Sequence, residues 1–251
     1  MAGRLITSSE NQLFKKLKKL QQKKYREKEG AFIVEGKKII ESRTDSLAIF
    51  VNQEREEELK ITLKDMDYYL LPKQLFNELS TQENSQGVIA IFPIPEPNII
   101  KSANIIALDK IQDPGNMGTI IRTADAAGYK DIILIDGCVD IYNEKCVRSS
   151  MGSIFSLNFL YMNQHEFLNY IKEEQYKLIT TVLENDSIDY RKLRVSDKNC
   201  IVFGNEGNGI SNEILKQSSE KVIIPIYGSA ESLNVSIAAG ILMYKIIELK
   251  E

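Results

Sequence analysis

Three stretches of this chain combine small, polar and single charged residues in patterns suited to holding a ligand. They are Asp113-Pro-Gly-Asn-Met-Gly-Thr-Ile-Ile-Arg-Thr-Ala124, Phe203-Gly-Asn-Glu-Gly-Asn-Gly-Ile-Ser211 and Val222-Ile-Ile-Pro-Ile-Tyr-Gly-Ser-Ala-Glu-Ser-Leu-Asn-Val-Ser-Ile-Ala-Ala-Gly240. In the first, Asn116 and Gly118 open a helix after a Pro-Gly turn. The unpaired N–H groups and positive end of that helix suit an anion. Arg122, a turn and a half further on, offers a planar fork of donors to a phosphate. Taken alone, the same residues are also a capped helix with a surface arginine, and Gly128 reads as its C-terminal cap.

The second stretch spaces its glycines G-x-x-G-x-G, unlike the dinucleotide fingerprint G-x-G-x-x-G, and it follows a late strand. Glycines there let the backbone turn tightly or approach a ligand closely. Glu206 among them could orient an arginine or a cofactor amine, although a plain loop reads the same way. In the third, Ser229, Ser232 and Asn234 lie between a strand and the helix Val235 to Glu248. Each is a common helix cap on its own. Three such loops leaving the carboxyl ends of strands are more telling, because open α/β sheets bind ligands there.

The elements that must position these loops alternate along the chain. Short β-branched runs at 105–108, 132–135, 176–180, 201–203 and 222–224 predict strands. Helical spacing appears at 119–127, 144–151, 166–173, 212–217 and 235–248. That alternation predicts a mostly parallel sheet with helices on both faces. Ahead of it, strands at 31–34, 47–51 and 87–92 and helices at 37–42 and around 71–79 predict a smaller α/β unit. Pro93, Pro95 and Pro97 suit an extended linker. We therefore expect a first domain at 1–92, a linker at 93–103 and a second domain at 104–251.

Composition narrows the function further. The chain has 251 residues, 43% of them hydrophobic, and a net charge of −3. Residues 1–38 hold 11 Lys/Arg against 4 Asp/Glu, leaving 21 against 31 for the rest. The excess lies on a predicted amphipathic helix, with Ser8 and Ser9 as caps, in which Leu13, Leu17 and Leu20 oppose Lys15, Lys18 and Lys19. Such an arm suits a polyanion. Cys138, Cys146 and Cys200 lack zinc-site spacing, and their odd number argues against a disulfide framework. The single histidine, His165, has no partner at motif spacing for a triad or a metal. No apolar run suits a membrane helix or a signal peptide, so we expect a soluble, cytoplasmic protein without a metal site.

Together, in this order, N-x-G-x-x-x-R-T-A, F-G-N-E-G-x-G-I-S and P-I-x-G-x-x-x-S-L-N-V-S resemble the three motifs of the SpoU/TrmH family of RNA 2'-O-ribose methyltransferases. The resemblance spans about Ile105 to Lys250. It implies a SPOUT-type α/β domain with a C-terminal trefoil knot, a homodimer built at that knot, and S-adenosylmethionine held by the second and third loops. Gly204, Asn205, Gly209, Ile224 and Leu233 would line the cofactor, with Thr181, Ile226 and Asn234 close by. The first unit looks like the RNA-binding domain fused to many members. Lys15, Lys18, Lys19, Lys23, Lys24 and Arg26 would contact phosphates there without reading bases.

The family nominates Arg122 for activating the ribose hydroxyl. An arginine stays protonated, so we assign it instead to binding the target phosphate and stabilising alkoxide charge, with Asn116 and Glu206 orienting it. Ser232 and Asn234 would position cofactor and ribose. Large-subunit rRNA is the expected substrate. The alternatives are a tRNA enzyme, an antibiotic-resistance rRNA methyltransferase and, from another class, a non-catalytic RNA-binding module.

Overall fold

A computed structural model describes residues 3–64, 66–183 and 187–250. Contacts divide the chain into one unit of Met1–Pro95 with Tyr142–Arg148 and another of Glu96–Ile141 with Ser149–Glu251.

In the first unit, strands β1 (Arg4–Leu5), β2 (Ala31–Glu35), β3 (Ala48–Asn52), β4 (Tyr69–Leu71) and β5 (Val88–Pro93) form a sheet in the order β1-β4-β3-β5-β2. β5 runs antiparallel to both its neighbours, and its pairing with β2 continues as far as Ala31 opposite Pro93. Helix α1 (Gln12–Lys19) lays Phe14 and Leu17 on one sheet face, where they join Ile33, Phe50, Phe76 and Ile89. Burying each of those two side chains is worth about 2 kcal/mol. The cap of α1 is Asn11, whose side chain accepts from the amides of Leu13 and Phe14, while Ser8 closes a turn onto the Glu10 amide. Asparagine wins because it sits immediately before the first helical residue.

The helix expected around 71–79 begins later. Its first residue, Leu71, ends β4, and Pro72 separates it from α5 (Lys73–Asn77). A proline disfavours helical backbone in the residue before it, so the helix begins only after Pro72. Helix α2 (Lys23–Glu29) carries no apolar period and ends at Gly30 with φ 58°, in left-handed backbone. Short helices α3 (Lys37–Glu41) and α4 (Glu56–Leu59) complete the run up to α5.

In the second unit every strand pairing is parallel. Strands β6 (Asn104–Asp109), β7 (Asp131–Ile135), β8 (Asn158–Met162), β9 (Lys177–Thr181), β10 (Ile188–Asp189), β11 (Asn199–Gly204) and β12 (Glu220–Ile223) are ordered β10-β12-β9-β11-β6-β7-β8. Helices α6 (Pro114–Ala126), α7 (Glu144–Ser149), α8 (Gln164–Glu173), α9 (Asn212–Lys216) and α10 (Val235–Glu248) intervene. β6, β7 and β11 are almost wholly buried, as strands covered on both faces must be. The three motif loops follow β6, β11 and β12, so parallel order alone brings them to one edge of the sheet. Helix α10 returns to α6, where the Gly240 Cα has room for a Cβ only 3.5 Å from Thr123 Cγ2, and Tyr129 donates to the Met243 carbonyl.

Tyr142–Arg148, most of it α7, follows β7 in sequence yet belongs to the first unit. The Tyr142 ring lies 4.7 Å from that of Phe32, which is fully buried.

One expected RNA contact is overturned. Arg26 is only 4% exposed and donates to the carbonyls of Leu20 and Gln21, both at 2.8 Å. Those carbonyls lie just past the end of α1, where helix termini leave acceptors unmet, so Arg26 is a structural brace rather than a phosphate ligand. Arg26→Ala should destabilise the protein by about 2 kcal/mol, because buried carbonyls lose charged donors. The salt dependence of RNA binding should stay at the parent value. Chemical denaturation and RNA titrations at several salt concentrations check both halves.

Candidate functional site

The three motif loops meet through one side-chain amide. Asn116, in the first turn of α6, donates from Nδ2 to Glu206 Oε1 at 3.0 Å and accepts at Oδ1 from Asn234 Nδ2 at 2.9 Å. Its own N–H is held by the Asp113 cap at 2.8 Å. Asn234 caps α10 by accepting from the Ser236 amide and hydroxyl. Helix start, glycine loop and third loop are thus joined in series.

The glycine loop is a closed hairpin. Asn205 and Gly209 exchange backbone hydrogen bonds, and Asn205 Oδ1 accepts from the amides of Gly207 and Asn208. Gly209 has φ 69°, which glycine adopts without strain. Gly204 ends β11 opposite Asp109, and a Cβ there would stand 2.4 Å from the Gly209 carbonyl carbon. Any side chain at 204 must therefore open the hairpin.

Asp109 and Lys110, which the motifs did not single out, hold this hairpin to the end of β6. Asp109, fully buried at the end of β6, accepts from the Ser211 amide at 2.6 Å. Its other oxygen is buried without a partner among the described residues. Lys110, at φ 58°, donates to the Ser211 hydroxyl, and its carbonyl accepts from Asn205 Nδ2 at 2.9 Å. A signal existed: Asp109 puts a carboxylate at the end of an apolar strand, where a buried charge needs hydrogen bonds.

The remaining expected residues are more open. Thr181 ends β9 and donates to the Val202 carbonyl. Ile224 and Ile226 are partly buried, Leu233 is 39% exposed and Ser232 is exposed. Among the described residues, the amides of residues 226–233 form no hydrogen bond, which leaves a row of donors unpaired. Arg122 is exposed and has no hydrogen bond or ion pair among the described residues. It is not oriented by Asn116 and Glu206, which bond to each other instead. Six residues along a helix place two side chains about 9 Å apart axially and roughly 120° around, on different faces.

Two of the three thiols are disfavoured as thiolates. Burial pushes Cys138 up to about 11 and Cys200 higher still. Among the described residues there is no cluster of His, Cys, Asp or Glu that could hold a metal ion.

Comparison with known proteins decides the family. Residues 103–244 match the SpoU rRNA Methylase family, and residues 11–90 match the MRM3-like substrate binding domain. The chain belongs to the SpoU rRNA methylase family. It is 35% identical over 243 residues, 95% of this chain and 97% of the relative, to the 23S rRNA (guanosine(2553)-2'-O)-methyltransferase RlmP of Bacillus subtilis strain 168. An AdoMet-bound rRNA methyltransferase from Sinorhizobium meliloti superposes with a TM-score of 0.85 at 28% identity, covering 98% of this chain and 97% of that one. The SpoU methyltransferase AviRb from Streptomyces viridochromogenes, in complex with AdoMet, gives 0.84 at 25% identity over 96% and 98%.

As a SpoU methylase the chain is an RNA methyltransferase with S-adenosylmethionine as methyl donor. Its own features fit that group. The unpaired amides of 226–233 can meet the polar edge of an adenine, and Leu233 supplies exposed apolar surface beside them. In this SpoU protein, Gly204→Ala should weaken S-adenosylmethionine binding at least about tenfold, since the displaced atoms are loop backbone. Gly209→Ala meets no neighbour and should cost only about 1 kcal/mol of left-handed strain. Calorimetric titration of both variants tests the ranking, and parent-like affinity in Gly204→Ala would remove the hairpin from the site.

Proposed function

We propose that this chain methylates a ribose 2'-hydroxyl of large-subunit rRNA, in the cytoplasm and as a homodimer. The observation that carries the reading is the Asn116 bridge to Glu206 and Asn234, which joins residues of all three family motifs in one place. Likeness to RlmP along nearly the whole of both chains supports an rRNA substrate. No helix among the described residues is long and apolar enough to cross a membrane.

S-adenosylmethionine, when bound, supplies a methyl group activated by a sulfonium. Gly204, Asn205, Gly209, Ile224, Ile226, Leu233 and Thr181 shape its side of the crevice. The ribose oxygen is a weak nucleophile until its proton leaves. Arg122 keeps its charge, so it cannot take that proton, but its unpaired fork can grip the target phosphate and stabilise alkoxide character. A phosphate oxygen or water then receives the proton. Both polar ends of the Asn234 side chain are committed to Asn116 and Ser236, so it positions the loop, leaving the exposed Ser232 hydroxyl to meet the ribose. Asn116 and Glu206 act in the same way, as tethers.

Helix α10 supports the dimer. Ile237 and Tyr244, one heptad apart and on one face, are 54% and 52% exposed. A second copy would cover them. The return of α10 from β12 onto α6 is the passage we propose as the trefoil knot, a topology nearly absent from proteins.

Arg122→Lys retains charge but loses the planar fork, so it should fail almost as badly as Arg122→Ala, with methyl transfer reduced by about a hundredfold or more. S-adenosylmethionine affinity should survive in both. Transfer of labelled methyl to rRNA together with cofactor titration checks this, and near-normal turnover in Arg122→Ala would refute the assignment. Separately, the double variant Ile237→Asp with Tyr244→Asp should sediment as a monomer. A dimer of unchanged stability would place the interface elsewhere.

A further inference from the structure

The basic arm of the first unit differs from the even lysine stripe that its sequence suggests. Lys15 pairs with Glu10, Lys16 with Glu29, Lys18 with Glu78 and Lys23 with Glu27. Lys19 and Lys24 have no carboxylate within ion-pair distance among the described residues. Instead both ammonium groups stand over one ring: Lys24 Nζ lies 4.8 Å and Lys19 Nζ 5.6 Å from the centre of Tyr25. That ring is half-buried, and its hydroxyl has no hydrogen bond among the described residues.

We propose that Tyr25 is a stacking platform for an unpaired RNA base, with Lys19 and Lys24 as its paired phosphate ligands. This rests on the reading of the first unit as an RNA-binding arm and adds what that arm holds. The arrangement stores each component of single-strand recognition in one place: an aromatic face and two cations held over it rather than in an ion pair. An exposed ammonium gains little from a ring, whereas a base stacked on the same face gains more, and a phosphate attracts the ammonium more strongly than the ring does. On binding, the lysines therefore move to the backbone and free the ring for the base. Tyr25 is pre-set for this, because its neighbour Arg26 fixes α2 to the end of α1 through the Leu20 and Gln21 carbonyls. In duplex RNA the bases are already stacked on one another and offer no free face. The site selects a loop, bulge or end.

The test compares binding of the full-length protein to a short oligoadenylate and to a fully paired RNA duplex of equal length, over a range of salt. The parent should prefer the oligoadenylate. Tyr25→Leu should lose that preference and about tenfold in affinity for the single strand, with an unchanged salt slope, while Tyr25→Phe should behave as the parent. Lys19→Gln with Lys24→Gln should weaken both RNAs and flatten the slope. Circular dichroism and the denaturation midpoint report that each variant is folded. If the lysine variant weakens binding but Tyr25→Leu does not, the platform is refuted and the RNA-binding arm stands. Equal loss on both RNAs in Tyr25→Leu would also refute it, making the ring a support for the lysines. Were neither variant to change binding, the arm itself would be wrong.

Discussion

A single primary amide holds the site together. Asn116 uses its donor on Glu206 and its acceptor on Asn234, and the two demands cannot be met by a carboxylate or a hydrocarbon of the same size. An aspartate would set two negative groups against each other, and a leucine would leave both partners unmet. Around that amide, each loop is stiffened by its own short-range bonds. Asp113 caps one helix, Asn234 caps another and Asn205 closes the hairpin between them. The rigidity of the site is therefore local within each loop, and Asn116 joins all three.

The sheet makes this convergence possible before any side chain acts. In the order β12-β9-β11-β6, parallel pairing delivers the ends of β6, β11 and β12 to a common edge although they are far apart in sequence. Asp109 and Lys110 then cross-link the first two ends through Ser211 and Asn205. A buried carboxylate with one oxygen unmet is a costly way to end a strand. Such outlay concentrates where geometry must be held against the preference of the chain.

Much of this was legible from residue order. Alternating apolar runs located the parallel strands and long helices of the second unit because buried strands need continuous β-branched stretches and α10 needs a long apolar stripe. The motif loops were legible because glycine, asparagine and serine there have few other reasons to cluster. What escaped depends on three-dimensional context. β8 is half-exposed and its run Phe159-Leu160-Tyr161-Met162 has no β-branched residue, and α2 carries a single aromatic, Tyr25, among charged residues. Arg26 sits among lysines that look alike in one dimension, and only its path between two carbonyls separates a brace from a ligand. The expectation that Asn116 and Glu206 steer Arg122 failed for a related reason: nearness in a motif does not place residues on one helix face.

The grouping of Tyr142–Arg148 with the first unit bears on how the chain comes off the ribosome. When residues 1–95 have emerged, Phe32 can meet Phe92 but its nearer ring neighbour is still unmade, and residues 96–141 must be synthesised before Tyr142 can arrive. The first unit thus gains its last segment only after β7 has been made. Long-range closure of this kind slows folding and lengthens exposure to aggregation. Vectorial synthesis makes the amino-terminal unit begin first and complete late.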